Sequence, residues 1–256
     1  VVGCGTSWFI AQCYAALREA AGHGETDGFA ASEMPAHRAY HRVVAITRSG
    51  TTTEVLDLLR RVPDDTPTVV VTGTAGSPVT ELAGDTVLLD WADEKSVVQT
   101  RFATSTLALL RGHLGENLDP AIADAETALT GPLPVSPRDL EQVTFLGRGW
   151  TVGLAHEAAL KLREAAGFWT ESYPAMEYRH GPVSVAQTGR AVWCFGPAPD
   201  GLAEQVAATG ASFVADPLDP MADLVRAQRL ALELAERRGT DVDRPRHLTR
   251  SVVLRP

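Results

Sequence analysis

Short apolar runs alternate along the chain with longer segments of helical periodicity. Val1-Val2 leads into a glycine turn, and Trp8, Ile10, Ala11, Tyr14 and Leu17 then recur at helical spacing over residues 8–20. Val43-Val44-Ala45-Ile46 predicts a second strand, and Val55, Leu58 and Leu59 share one face of a helix over 54–61. Residues 68–72 and 86–89 predict two further strands, and 104–113 a helix. Nearly continuous apolar strands between amphipathic helices imply a parallel sheet covered on both faces, an α/β fold. An alanine-rich helix within 119–137 runs into Gly131-Pro132-Leu133-Pro134, which reads as a linker. The pattern restarts at Val143-Thr144-Phe145-Leu146. Its late part is thin: one clear strand, 211–215, separates Gly196-Pro197 from a helix over 221–238, so a loop or strand is expected to be absent there.

The two halves repeat each other. Gly3-Cys4-Gly5 returns as Gly147-Arg148-Gly149, 144 residues later, and the six residues from Leu17 to Gly22 return unchanged from Leu162 to Gly167. Glu33 and Glu177 are also 144 apart. A duplication is expected, with domains at 1–130 and 138–256, each a three-layer, flavodoxin-like unit. The chain opens inside a strand-like segment, so a preceding helix is expected.

Composition narrows the function. Hydrophobic residues make up 45% and charged residues 21%, a globular balance. The formal charge of −9 offers no basic footprint for nucleic acid. A small anion remains open, since local donors hold it. Cys4, Cys13 and Cys194 form no CxxC pair or metal spacing and read as small buried hydrophobes. No metal or cofactor is implied. No signal peptide opens the chain and no apolar run reaches the ~20 residues of a membrane span, so no membrane partner and a cytoplasmic location are expected.

Three constellations carry chemistry. In residues 45–54 a strand ends in hydroxyls around Gly50 and a helix follows. Free N–H groups at a helix N-terminus beside Ser/Thr donors make an anion site; Thr52 or Thr53 serving as an ordinary N-cap is the plainer reading. Gly3 to Ser7 follows the same logic, with Thr6 and Ser7 as donors or as caps. The third spans 157–182. Glu157, Lys161 and Glu164 fall on one helical row beside an apolar stripe, either as a functional cluster or as a surface ion pair. Glu177-Tyr178-Arg179-His180-Gly181-Pro182 follows, where His180 is a proton shuttle or a solvated turn residue.

Taken together, GCGTS (3–7), ITRSGTTTE (46–54), DEKSVVQTR (93–101), EAALKLREAAG (157–167), EYRHGP (177–182) and PRHLTRSVVL (245–254) resemble the double sugar isomerase (SIS) domain family. The likeness covers nearly the whole chain; it is greatest to the isomerase half of the glucosamine-6-phosphate synthases and to the related aminosugar-phosphate deaminase/isomerases, and EYRHGP with Arg48 leans towards the latter. It implies two tandem SIS domains. Ser7, Thr47, Arg48, Ser49 and Thr52 would hold a sugar phosphate, and Thr6, Val97 and Gln99 would line the sugar. Glu164 would move a proton between C1 and C2, with Glu157 and Lys161 as polar neighbours. His180, supplied by the partner subunit of a homodimer, would open the sugar ring. Arg250 stands where the family's tail carries a lysine; it forms no Schiff base but can polarise a carbonyl. With no glutaminase segment, glutamine-fed amination is not expected. The resemblance implies an enzyme that isomerises or deaminates a phosphosugar. A phosphosugar sensor is the alternative, although the basic helix-turn-helix usual in such regulators is not visible.

Overall fold

A computed structural model describes residues 1–254. The chain forms two compact units, one of residues 1–115 with the tail from His247 onward, the other Glu116–Arg246. The first contains β1 (Val2–Gly3), α1 (Thr6–Ala20), β2 (Phe29–Ala30), β3 (Val43–Thr47), α2 (Thr53–Arg61), β4 (Thr68–Thr72), α3 (Pro78–Leu82), β5 (Asp85–Leu88) and α4 (Arg101–His113). The second contains α5 (Asp119–Thr130), β6 (Gln142–Gly147), α6 (Thr151–Ala166), β7 (Thr170–Pro174), β8 (Arg190–Phe195), α7 (Leu202–Ala207), β9 (Ser212–Ala215) and α8 (Pro220–Arg238).

Both sheets are parallel throughout, in the orders β2-β1-β3-β4-β5 and β7-β6-β8-β9. Strand for strand, the second order repeats the first without its fifth member. In each, the order reverses beside the central strand, between β1 and β3 or β6 and β8. An open α/β sheet opens a ligand crevice at such a point, outside the carboxyl ends of its strands. Gly3 and Gly147 hold equivalent places. A Cβ on Gly3 would lie 2.5 Å from the Ser7 carbonyl carbon, and one on Gly147 2.2 Å from the Thr151 oxygen. Each glycine lets the next helix cross tightly over its own strand.

The apolar strands do what their composition requires. Val43, Ala45, Val55, Leu58, Leu59 and Val70 bury together between β3, α2 and β4. In the second unit Phe145, Trp193 and Phe195 stack in the core with ring centroids 5.8–6.3 Å apart. Trp193 Nε1 donates to Asp223 Oδ2 at 2.8 Å, and Arg226 pairs with the same carboxylate at 2.6 Å, so the buried polar groups satisfy one another.

Two expected boundaries shift. The proline cluster after α5 stops a helix without separating the units. Arg229 donates to the carbonyls of Ala128 and Gly131, both at 2.7 Å, which ties α5 to α8. At the other end, the tail returns to the first unit. Between Gly196-Pro197 and α8 lie the short α7 and one strand, β9, and this sheet has four members where the first has five; Arg190–Phe195, just before, is a strand that periodicity did not distinguish. Among the described residues, no helix is long and apolar enough to cross a membrane.

Candidate functional site

In the first unit, β3 delivers the chain to the hydroxyl loop. The Arg48 carbonyl accepts from Gly73 N (3.1 Å), Thr74 Oγ1 (3.1 Å) and Thr72 Oγ1 (3.3 Å), fixing the exit from the strand. Gly50 then turns with φ 65°, and a Cβ there would sit 2.0 Å from Ser77 Oγ. Only glycine serves both the turn and the close approach. This turn sets Ser49, Thr51 and Thr52 at the N-terminus of α2. Thr52 occupies the N-cap position, yet no side-chain cap bond forms, so capping does not account for the hydroxyls. The same holds for α1, whose N-cap is Gly5 and whose first residues, Thr6 and Ser7, are buried. Thr47, the last residue of β3, is buried as well. All these groups lie at the carboxyl ends of the neighbouring strands β1 and β3.

Both arginines named from the motifs, Arg48 and Arg250, are engaged within the first unit. The Arg48 side chain is 1% exposed. It donates to the carbonyls of Ser96 (2.7 Å) and Val97 (3.0 Å), with Glu94 Oε1 3.9 Å away. A guanidinium so deeply buried needs acceptors, and these carbonyls supply them. Arg48 therefore braces the 93–100 loop. Glu94 secures the other side of that loop. Its carboxylate accepts from Thr100 N (3.0 Å), Arg101 N (3.2 Å) and Phe102 N (3.2 Å), capping α4. Val97 and Gln99 thus ride on a braced loop, and the buried Gln99 Oε1 has no hydrogen-bond partner among the described residues.

Arg250 is likewise engaged. Its Nη2 lies 2.5 and 2.7 Å from the Asp93 carboxylate oxygens, and its Nη1 donates to Glu94 O at 2.5 Å. Its charge is neutralised in place, so it acts as an anchor for the tail and not as a free electrophile. Asp93 and Glu94 were both within a motif already singled out, but nothing local marked one as an anchor and the other as a cap. Burial, and secondarily the Glu54 charge, push the Cys4 thiol up to about 11; burial does the same for Cys194. Neither is poised as a nucleophile.

In the second unit, α6 carries Glu157, Lys161 and Glu164 on one row. Lys161 Nζ lies 2.5 Å from Glu164 Oε2 and 3.5 Å from Glu157 Oε1, with side-chain exposures of 1% for Lys161, 0% for Glu157 and 21% for Glu164. The surface ion-pair reading fails, because this cluster is buried. One ammonium faces two carboxylates, and of the three only Glu164 reaches accessible surface to an appreciable degree. A carboxylate held by a fixed cation yet open on one side can take and return a proton.

His180 ends the 3-10 turn Glu177–His180 and is exposed. The turn is fixed by buried Tyr178 and by Arg179, which donates to Asp200 O (2.5 Å) and Gln205 Oε1 (3.0 Å). His180 makes no hydrogen bond or ion pair with the α6 cluster among the described residues. The loop after β8, Gly196-Pro197-Ala198-Pro199, is the counterpart of the hydroxyl loop and carries no hydroxyl. The cluster of hydroxyls after the third strand is thus a feature of the first unit's loop and not of this one.

Such an architecture is the sugar isomerase (SIS) fold. The structure superimposes with a TM-score of 0.87 on the glucosamine-6-phosphate deaminase of Thermotoga maritima, at 23% identity over 99% of this chain and 89% of that one. The C-terminal domain of the glucosamine-fructose-6-phosphate aminotransferase of Francisella tularensis gives 0.78 at 22% identity, covering 95% and 86%. In sequence the chain is homologous to the isomerizing glutamine–fructose-6-phosphate aminotransferases. It is 30% identical to that of Halobacterium salinarum over 83% of this chain and 44% of the relative, and 30% identical to that of Symbiobacterium thermophilum over 82% and 43%. The chain thus spans less than half the length of these relatives. No family model matches it.

Proposed function

We propose that the chain comprises two tandem SIS domains and acts on an (amino)hexose 6-phosphate, isomerising aldose and ketose, releasing ammonia from the aminosugar, or both. The observation that carries this reading is Glu164, whose partly open carboxylate is held 2.5 Å from a buried ammonium. Glu164 takes a proton from one of the C1/C2 pair and returns it to the other, through an enediol or enamine; with an aminosugar this leaves an imine at C2, to which water adds as ammonia departs. Lys161 fixes the carboxylate, and Glu157 fixes Lys161 from the other side.

The phosphate is assigned to the first unit, on the hydroxyls of Ser7, Thr47, Ser49 and Thr52 and the N–H groups opening α2. Thr6, Val97 and Gln99 are assigned to the sugar. Arg48 and Arg250 serve as braces of the loop and tail. His180, exposed on a firm turn, is assigned to ring opening in a partner subunit of a homodimer.

Replacing Glu164 with Gln tests the assignment. Turnover should fall by roughly 10²-fold or more, the scale of a lost general base, while phosphosugar affinity stays within about threefold. Equal loss of binding and turnover would sink Glu164 as the base.

A further inference from the structure

The polar groups that ring the opening of α2 are already engaged by this chain's own tail. Thr53 N, the first amide of the helix, donates to Val252 O at 3.1 Å. Thr51 Oγ1 donates to Ser251 Oγ at 2.9 Å, and Thr52 Oγ1 lies 3.4 Å from the same oxygen. Leu254 N donates back to Thr53 Oγ1 at 2.9 Å. Just upstream, Arg250 is locked on Asp93 and Glu94.

The hold on residues 252–254, the last ones described, is polar and shallow. Val252, Val253 and Leu254 are 50%, 62% and 59% exposed, so little apolar burial retains them. The tail joins the first unit at His247, the single non-glycine residue among those described with positive φ, 63°.

We infer that residues 251–254 are a self-strap that competes with phosphate for the opening of α2, while the Arg250–Asp93 pair keeps the released strap tethered. This rests on the assignment of phosphate to that loop. A phosphate oxygen that takes the Thr53 N–H must displace the Val252 carbonyl, because one amide proton serves one strong acceptor. Phosphate affinity is then reduced by the fraction of molecules whose strap is closed.

Inorganic phosphate, titrated calorimetrically, is the probe. The full chain, a chain ending at Leu248 and Ser251→Ala in the full chain are compared, each checked for native circular dichroism. The shortened chain should bind phosphate roughly tenfold more tightly, the factor expected if about a tenth of the full chain is open. Ser251→Ala should fall between the two, and should still report if the shortened chain misfolds. Amide exchange at Thr53 should speed up in the shortened chain. Binding that is equal across the forms, or weaker without the tail, overturns the strap and leaves the phosphate assignment standing. Phosphate binding by none of them overturns both.

Discussion

Replacing Lys161 with Met probes the buried cluster on α6 most sharply. The ammonium is 1% exposed and lies 3.5 Å from the carboxylate of Glu157, which is fully buried. Methionine keeps most of the lysine stem and removes the charge. Glu164, 21% exposed, can turn its carboxylate towards water, whereas Glu157 cannot. Removing one partner of a buried ion pair costs about 3–5 kcal/mol, because the other charge is left uncompensated. At about 3 °C per kcal/mol for a unit of this size, Tm should fall by about 10–15 °C. The double variant Glu157→Met/Lys161→Met removes both charges and should regain most of the loss, since an apolar pair of similar volume often replaces a buried ion pair at little cost. Thermal unfolding followed by calorimetry and circular dichroism measures both variants. A loss below about 1 kcal/mol for Lys161→Met, or a double variant no better than the single, would refute the view that Glu157 depends on this cation.

Three other consequences are directly measurable. Tyr178→Phe should leave stability unchanged or raise it by up to about 1 kcal/mol in urea unfolding, because the buried phenol oxygen has no hydrogen-bond partner among the described residues and burial holds its pKa up at about 12; a loss above about 1 kcal/mol would show that the hydroxyl is bonded. Gly50→Ala should destabilise by roughly 2 kcal/mol and weaken phosphate binding, given its positive φ and the nearby Ser77; wild-type behaviour would mean that the turn is not needed. Burial, and then the Arg163 charge, hold the His156 imidazole below its usual 6.5. Its contribution to stability is thus fully present above the unfolded pKa of about 6.5 and is lost as pH falls through that value. The urea midpoint should drop between pH 7.5 and 5.5, and His156→Asn should flatten that drop; parallel slopes would exclude His156 as its source.

The α/β plan with parallel sheets was legible because it rests on local pattern. VVAI and TVVV are buried or half-buried at every position and carry no competing signal, and Gly3 and Gly147 mark similar tight crossings after β1 and β6. What stayed hidden is non-local or short. The two-residue strand Phe29–Ala30 has no periodicity to read, and Thr170–Pro174 is polar because it lies at a sheet edge. The extent of the first unit was obscured because its last piece is more than 130 residues distant from the body it joins.

Within the site, residue types and row spacing singled out the hydroxyl loop and the α6 cluster, but spacing could not distinguish a surface pair from a buried one. That distinction came from how α6 packs. Arg48 and Arg250 looked like ligand-binding cations from their motifs. Their engagement depends on carbonyls of residues 94, 96 and 97 and on the Asp93 carboxylate, contacts that span 48 to 157 positions. No local pattern encodes those.

Proton exchange at C2 tests the central claim most directly. The full chain would be incubated in deuterated water with fructose 6-phosphate, glucosamine 6-phosphate and galactosamine 6-phosphate in turn, and each sugar followed by NMR alongside Glu164→Gln. The account predicts deuterium at C2 of at least one sugar, with free ammonia if it is an aminosugar, and loss of both in the variant. Saturable binding of these sugars with no exchange on any of them would contradict it and mark the chain as a phosphosugar-binding module.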